Sequence, residues 1–289
     1  MHQRLPPISL FQALKKPRLR LFLRMHRIRK STKSVLGIKP RTLPLIIGPS
    51  GCGKTAVIKL LAESLNLPWR CFPAPSWIVN GASTRPCTLE AIHYFVSHHP
   101  ECIIFLDEID KSCPQGDQLF ASSWSLSVFT EILALLDGDN RLLGINWQRS
   151  SLNKLRSGKV YLIGAGSWQR LRDAQPKSSY PGREQMQVDE PSINSERGIP
   201  TELAYRFSHQ HIKISYPQPS DFASAITKIR QKLHLDELDS LELQLITEEA
   251  VTSSLGVRWL ENYLTDVMPT DCKYLVKLRS RSGCARLQN

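Results

Sequence analysis

The feature that most constrains the fold of this 289-residue chain is a glycine-rich loop between an apolar run and a helical pattern. The run Leu43–Ile47 ends at Gly48, and the loop closes with Gly53, Lys54 and Thr55, after which apolar residues recur at helical spacing. Glycines let successive backbone N–H groups face an anion, and the N-terminus of the following helix favours negative charge. The pattern predicts a strand, a phosphate-binding loop and a helix, with the lysine on the terminal phosphates and the threonine hydroxyl on Mg²⁺.

We expect this loop and the first turn of its helix to hold a nucleotide. The residues expected to contact it are Gly48, Pro49, Ser50, Gly51, Cys52, Gly53, Lys54, Thr55 and Ala56.

Two adjacent carboxylates, Asp107 and Glu108, follow a second apolar run, Cys102–Leu106. Neighbouring carboxylates at the end of a buried strand repel each other unless a cation or a reacting group uses them. We therefore expect Asp107 in the coordination shell of Mg²⁺ and Glu108 as the base that polarises the attacking water.

Short apolar runs alternate with helical stretches, which is typical of a parallel sheet covered by helices on both faces. From Pro219 onward the pattern is helical without strands, which predicts a small all-helical domain. The expected divisions are a basic N-terminal arm (1–41), an α/β nucleotide-binding domain (42–216) with an exposed loop near 174–198, a helical lid domain (217–270) and a basic C-terminal tail (271–289).

The formal net charge of +12 is concentrated in the N-terminal arm, which has 12 Lys or Arg residues and no acidic residue. Such an arm attracts phosphate backbones or acidic membrane surfaces. Its interleaved apolar residues predict a basic amphipathic helix after Pro17. A solvated or partner-packed extension is the alternative, and an acid-free, Arg-rich start also fits an organellar transit peptide in part.

No stretch of the sequence approaches ~18 uninterrupted apolar residues, so we expect no transmembrane segment. The seven cysteines contain no CxxC pair, which predicts reduced thiols without a zinc site. Reduced thiols favour the cytoplasm, with an organellar matrix as the alternative.

With these motifs identified, the chain resembles the AAA+ ATPases from about Leu43 to Val267. The resemblance implies ATP and Mg²⁺ as cofactors and ATP hydrolysis as the activity. Ser167 lies at the tip of the predicted strand that begins at Val160. It matches the sensor-1 position of the family, where a small polar residue contacts the γ-phosphate or the water. That position is commonly Asn in the family.

Two arginines are given roles by the same resemblance. The stretch 198–207 is similar to that of Clp-, Lon- and MoxR-like members, which ends in an arginine finger, so Arg206 would enter the site of a neighbouring subunit. The alternative for Arg206 is a surface salt bridge. Arg258 matches sensor 2, in which a lid arginine reaches the nucleotide, and the alternative there is an ordinary amphipathic helix.

The segment 75–81 lies where protein-threading members carry an aromatic pore loop. Trp77 is the aromatic residue, but Val79, Asn80 and Gly81 depart from the family order. A pore-loop residue and a core residue are equally compatible with this pattern.

The resemblance implies self-assembly into a ring or helical homo-oligomer, and we expect a hexamer. The favoured function is ATP-driven remodelling of a macromolecule, either a protein or DNA. The alternative is an ATP-gated DNA-binding switch or loader that uses the basic arm.

Overall fold

The computed structural model describes residues 12–30, 43–113, 123–138, 147–168, 199–207, 211–253 and 255–267, with side chains of the first helix described for 16–26. The predicted loop at 174–198 and tail at 271–289 lie outside the described residues. The strands are β1 (Leu45–Ile47), β2 (Trp69–Pro73), β3 (Cys102–Asp107), β4 (Val160–Gly166) and β5 (Ile212–Lys213). The helices are α1 (Gln12–Lys30), α2 (Lys54–Leu65), α3 (Thr88–His98), α4 (Ser123–Asp137), α5 (Arg149–Arg156), α6 (Thr201–Ala204), α7 (Pro219–Lys232), α8 (Ser240–Thr252) and α9 (Val257–Val267).

The five strands form one sheet in the order β2-β3-β4-β1-β5. Every neighbouring pair is parallel, with Leu45 opposite Gly164 and Cys102 opposite Val160. The predicted parallel sheet is therefore confirmed. Because β1 and β3 both run parallel to β4, which lies between them, the loop after β1 and the acids at the end of β3 emerge at the same edge of the sheet.

The central strands β3 and β4 are buried along almost their whole length. Continuous apolar strands of this kind are found where helices cover both faces of a sheet. The helices contribute buried apolar side chains to the core, among them Leu61 from α2, Ile92 from α3 and Leu135 from α4. A parallel sheet packed against helices in this way is the α/β class expected from the sequence.

Two compact units make up the described chain. One comprises residues 16–49 and 54–215, and the other contains residues 12–15, 50–53 and 216–267. Within the second unit the described residues from 216 onward form the helices α7, α8 and α9 and no strand. Phe222 packs edge-on against Trp259, with 6.1 Å between the ring centroids, and Trp259 stacks on Tyr263 at 5.3 Å.

The first helix differs from the expectation in where it begins. It starts at Gln12, so Pro17 lies inside the helix and does not precede it. Proline lacks the N–H that would donate to the carbonyl four residues earlier, and this loss is confined to the second turn of a 19-residue helix. Pro17 is also buried, as are Leu21 and Met25 one and two turns later, and this burial offsets the lost hydrogen bond.

Candidate nucleotide-binding and hydrolysis site

The loop between β1 and α2 has the backbone that its glycines predict. Gly51 and Gly53 have φ angles of 78° and 92°. Residues with a Cβ rarely adopt this region. The N–H of Gly48 donates to the carbonyl of Gly166 at 3.2 Å, which fixes the start of the loop to the end of β4. The loop is thereby held at the edge of the sheet where the acidic residues emerge.

Lys54 is directed back over the start of this loop. Its ammonium nitrogen donates to the carbonyl oxygens of Gly48 and Pro49, each at 2.8 Å. An ammonium group has three donors, and these two bonds use two of them. The positive charge is therefore centred within the loop, where a phosphate group would be bound.

Thr55 and Asp107 are brought together although they are 52 positions apart. The Thr55 hydroxyl donates to Asp107 Oδ2 at 3.1 Å, while the backbone N–H of Glu108 donates to Oδ1 at 2.9 Å. Both carboxylate oxygens are thus oriented by the chain itself. A hydroxyl and a carboxylate are oxygen ligands of the kind that Mg²⁺ takes in nucleotide sites, so the residues present fit that ion.

Glu108 occupies a left-handed backbone conformation, with φ 54° and ψ 33°. A residue other than glycine adopts this region at a cost of about 1 kcal/mol or more, so the surrounding bonds must hold it there. Its carbonyl accepts from the N–H of Lys111 at 3.0 Å. The Glu108 side chain is exposed at this turn.

Ser167 joins the same edge of the sheet through Asp110, a residue that the motifs of the sequence did not single out. Its hydroxyl donates to Asp110 Oδ2 at 2.8 Å, and the N–H of Trp168 donates to the same oxygen at 3.2 Å. The Trp168 ring lies against Gly166, where a Cβ would clash with it. The signal available in the sequence is the third acid of Asp107-Glu108-Ile109-Asp110, two positions beyond Glu108.

The acids after β3 also affect the neighbouring strand. Burial, together with the negative charges of Asp107 and Glu108, raises the pKa of the Cys71 thiol to about 12. Cys71 in β2 is a free thiol, so it stays protonated and weakly nucleophilic at neutral pH.

Arg206 is engaged within its own chain. Its Nε and Nη2 donate to Oδ1 and Oδ2 of Asp137 at 2.9 and 2.6 Å, and Nη1 donates to the carbonyl of Glu202 at 2.6 Å. The adjacent Phe207 is buried over Gly164, which fixes this segment on the sheet. Within the single chain Arg206 forms the salt bridge that was the alternative to the arginine finger. The role of Arg206 as an arginine finger remains a prediction.

Arg258 lies in the first turn of α9 and is exposed. The helix begins beside the tip of the phosphate loop, since the N–H of Val257 donates to the carbonyl of Gly51 at 2.9 Å. Gly256 makes this approach possible, because a Cβ there would lie 2.5 Å from the Gly51 oxygen. The sensor-2 role of Arg258 remains a prediction.

Trp77 is part of the core. Its side chain is 3% exposed, and its indole N–H donates to Glu131 Oε2 at 2.7 Å. The other oxygen of Glu131 accepts from the N–H of Asn80 at 2.8 Å. The core alternative is confirmed and the pore-loop interpretation of Trp77 is wrong, because a buried, hydrogen-bonded indole presents no ring to a substrate.

Comparison with known proteins agrees with this geometry. Residues 44–178 match the model of the ATPase family associated with various cellular activities (AAA). The chain is 28% identical to the peroxisomal ATPase pex6 of Schizosaccharomyces pombe over 148 residues, which is 51% of this chain and 14% of that protein. It is 33% identical to the nuclear valosin-containing protein-like protein of Mus musculus over 132 residues, 45% of this chain and 14% of the relative.

A solved structure gives the same fold. The crystal structure of the FIGL-1 AAA domain in complex with ADP superposes with a TM-score of 0.51 at 17% identity, covering 86% of this chain and 67% of that one. The resemblance to Clp-, Lon- and MoxR-like members in particular remains a prediction. Residues 44–178 therefore resemble the nucleotide-binding domains of AAA ATPases in sequence, and the chain shares the fold of the FIGL-1 AAA domain.

Proposed function

We propose that this chain is a Mg²⁺-dependent ATP hydrolase that assembles with copies of itself and uses the hydrolysis cycle to remodel another macromolecule. The observation that carries the proposal is the hydrogen bond between Thr55 and Asp107, beside an exposed Glu108. It joins the phosphate loop to the acids after β3 at one edge of the sheet.

Binding of ATP is assigned to the loop amides and Lys54. The ammonium exchanges the carbonyl of Gly48 or Pro49 for an oxygen of a terminal phosphate, so the positive charge remains in place as the ligand enters. Thr55 and Asp107 would hold Mg²⁺, which when bound neutralises charge on the phosphate oxygens.

Hydrolysis is assigned to Glu108 and Ser167. Glu108 accepts the proton of the attacking water, and its left-handed backbone directs the carboxylate away from the core. Ser167 is oriented by Asp110 and offers its hydroxyl oxygen as an acceptor for that water. Arg258 is proposed to reach the nucleotide from α9.

The Glu108 assignment is tested by the steady-state hydrolysis rate of Glu108→Gln, with Glu63→Gln on the exposed side of α2 as the matched control. We expect Glu108→Gln to bind ATP with an affinity near that of the wild type and to lose hydrolysis by about 100-fold or more. Glu63→Gln should hydrolyse normally. Full turnover by Glu108→Gln would remove the assignment.

Self-assembly is supported by the family, and we propose a ring or helical form, with a hexamer as the expected number. In that assembly Arg206 leaves Asp137 and completes the site of its neighbour, where a fixed guanidinium fork suits the charge of a transferring phosphoryl group. Mixing inactive Arg206→Ala with inactive Lys54→Ala should restore part of the activity, because some junctions then pair an intact finger with an intact loop. Failure at every mixing ratio would contradict action between subunits.

Remodelling of a protein is the substrate class we favour. Relatives of this chain are named as a peroxisomal ATPase and, in Saccharomyces cerevisiae, as the ribosome biogenesis ATPase RIX7, 27% identical over 129 residues. The chain spans 14% of the length of each, so substrate and partners are our proposals. No helix among the described residues has the length and apolarity to cross a bilayer, and a cytoplasmic location remains a prediction.

A further inference from the structure

The helix α1 has two faces with opposite environments. Pro17, Leu21 and Met25 follow one another at intervals of four residues and are buried, Leu21 completely and Met25 to 97%. Side chains four apart lie on the same face of a helix, so this face anchors α1 to the protein. The opposite face is thereby held outward in a fixed orientation.

The outward face is apolar at its centre. Leu19, Phe22 and Leu23 are exposed by 59%, 40% and 48%, and their spacing places them side by side on the helix surface. We call these three residues the α1 outer face. A contiguous exposed apolar patch with a polar rim is typical of an interaction site.

The borders of this face are basic. Lys16 and Arg20 are exposed along one border, and Arg18 is half-buried along the other. No acidic residue occurs in the first 62 positions of the chain, so no carboxylate of that segment neutralises these charges. A partner that covers the face must therefore be apolar at its centre and negatively charged around it.

From this combination we infer that the α1 outer face binds the surface of a bilayer containing anionic lipids. A helix lying in the membrane interface buries an apolar face among the acyl chains, while bordering lysines and arginines meet the head groups. Duplex DNA would satisfy the basic residues through its phosphates but offers no apolar surface to Leu19, Phe22 and Leu23. The apolar residues are thus what favours lipid over nucleic acid.

The test uses the full chain and co-sedimentation with two kinds of vesicle, phosphatidylcholine alone and an equal mixture of phosphatidylcholine and phosphatidylserine. We expect the wild type to sediment with the mixed vesicles and to remain in the supernatant with the neutral ones. The triple variant L19Q/F22Q/L23Q keeps every charge and should lose at least about tenfold in partition coefficient. The double variant R18Q/R20Q should lose about fivefold per arginine.

A matched control substitutes exposed leucines elsewhere. Leu241 and Leu245 on α8 are 64% and 58% exposed and lie one turn apart. The variant L241Q/L245Q should bind the mixed vesicles like the wild type. All substituted side chains are at least partly exposed, and circular dichroism checks that each variant retains the helical content of the wild type.

Binding of a labelled DNA duplex is measured on the same proteins. It distinguishes recognition of anionic lipid from recognition of DNA. For a lipid site, L19Q/F22Q/L23Q loses vesicle binding while any DNA binding is unchanged. Vesicle binding that survives this variant but falls in R18Q/R20Q, in parallel with DNA binding, would overturn the inference, since the face would then recognise charge alone. Absence of wild-type binding to the mixed vesicles would overturn it as well.

Discussion

The hydroxyl of Ser167 donates a 2.8 Å hydrogen bond to Asp110, which links the end of β4 to the turn after the paired acids. The same carboxylate oxygen accepts from the N–H of Trp168. Asp110 therefore fixes both the hydroxyl and the backbone of the segment proposed to contact the water. A positioning role follows for Asp110, since it acts through Ser167.

We expect Asp110→Ala to lower the hydrolysis rate by about tenfold or more while ATP affinity changes little, because the hydroxyl loses its orientation. Ser167→Ala should give a similar loss, and the double variant should be no worse than either single one. Single-turnover rates and nucleotide titrations measure both quantities. Multiplicative losses in the double variant would show that the two residues act independently.

The bond between Thr55 and Asp107 predicts a specific dependence on magnesium. Thr55→Ala removes the hydroxyl that we propose as a ligand, so the Mg²⁺ concentration for half-maximal hydrolysis should rise about tenfold or more. Thr55→Ser keeps the hydroxyl and is the matched control. Equal Mg²⁺ requirements for the two variants would argue against Thr55 as a ligand.

The pair of Arg206 and Asp137 predicts a measurable coupling in stability. Their side chains are 22% and 27% exposed, so solvent screening reduces the value of the pair, and the bidentate geometry raises it. We expect a coupling free energy of about 1 kcal/mol from a double-mutant cycle on unfolding with Arg206→Ala and Asp137→Ala. A coupling near zero would show that the fork is not maintained in solution.

Gly256 is predicted to tolerate no side chain. Its φ angle is 59°, and a Cβ would lie 2.5 Å from the carbonyl oxygen of Gly51. Gly81 has a φ of 77° with no described atom within 4 Å of a Cβ built there, so it isolates the effect of φ alone. We expect Gly81→Ala to destabilise by about 1 kcal/mol and Gly256→Ala by about 3 kcal/mol. Thermal unfolding compares them, and equal losses would contradict the close approach.

His93 predicts a loss of stability in mild acid. Burial lowers its pKa from 6.5, and its Nε2 accepts a hydrogen bond from the N–H of Gln148 at 3.2 Å, which requires the neutral ring. The unfolded chain takes up the proton more readily than the folded one. The contribution of neutral His93 is therefore complete above 6.5 and is lost as the pH falls from there to the lower folded-state pKa.

This prediction is measured as the unfolding free energy of the wild type and of His93→Gln between about pH 7.5 and about pH 5.5. The variant should lose less stability on acidification than the wild type. Identical slopes for the two proteins would contradict the role of His93.

Local patterns of the sequence determined the strands, the loop at Gly48–Thr55 and the acids after β3. Each depends on neighbours within a few positions: β-branched runs, glycines with positive φ and the spacing of apolar residues along α2. The parallel sheet follows from them, because short buried strands separated by helices have few other ways to pack.

Only the tertiary structure decided which partners the polar groups found. Asp137 and Arg206 are 69 positions apart, and Trp77 and Glu131 are 54 apart. No periodicity encodes such pairs, since they depend on how helices and loops pack after the sheet has formed. The orientation of α1 also depends on packing. Its outward face is determined by the burial of Pro17, Leu21 and Met25, and the basic composition of the helix does not specify it.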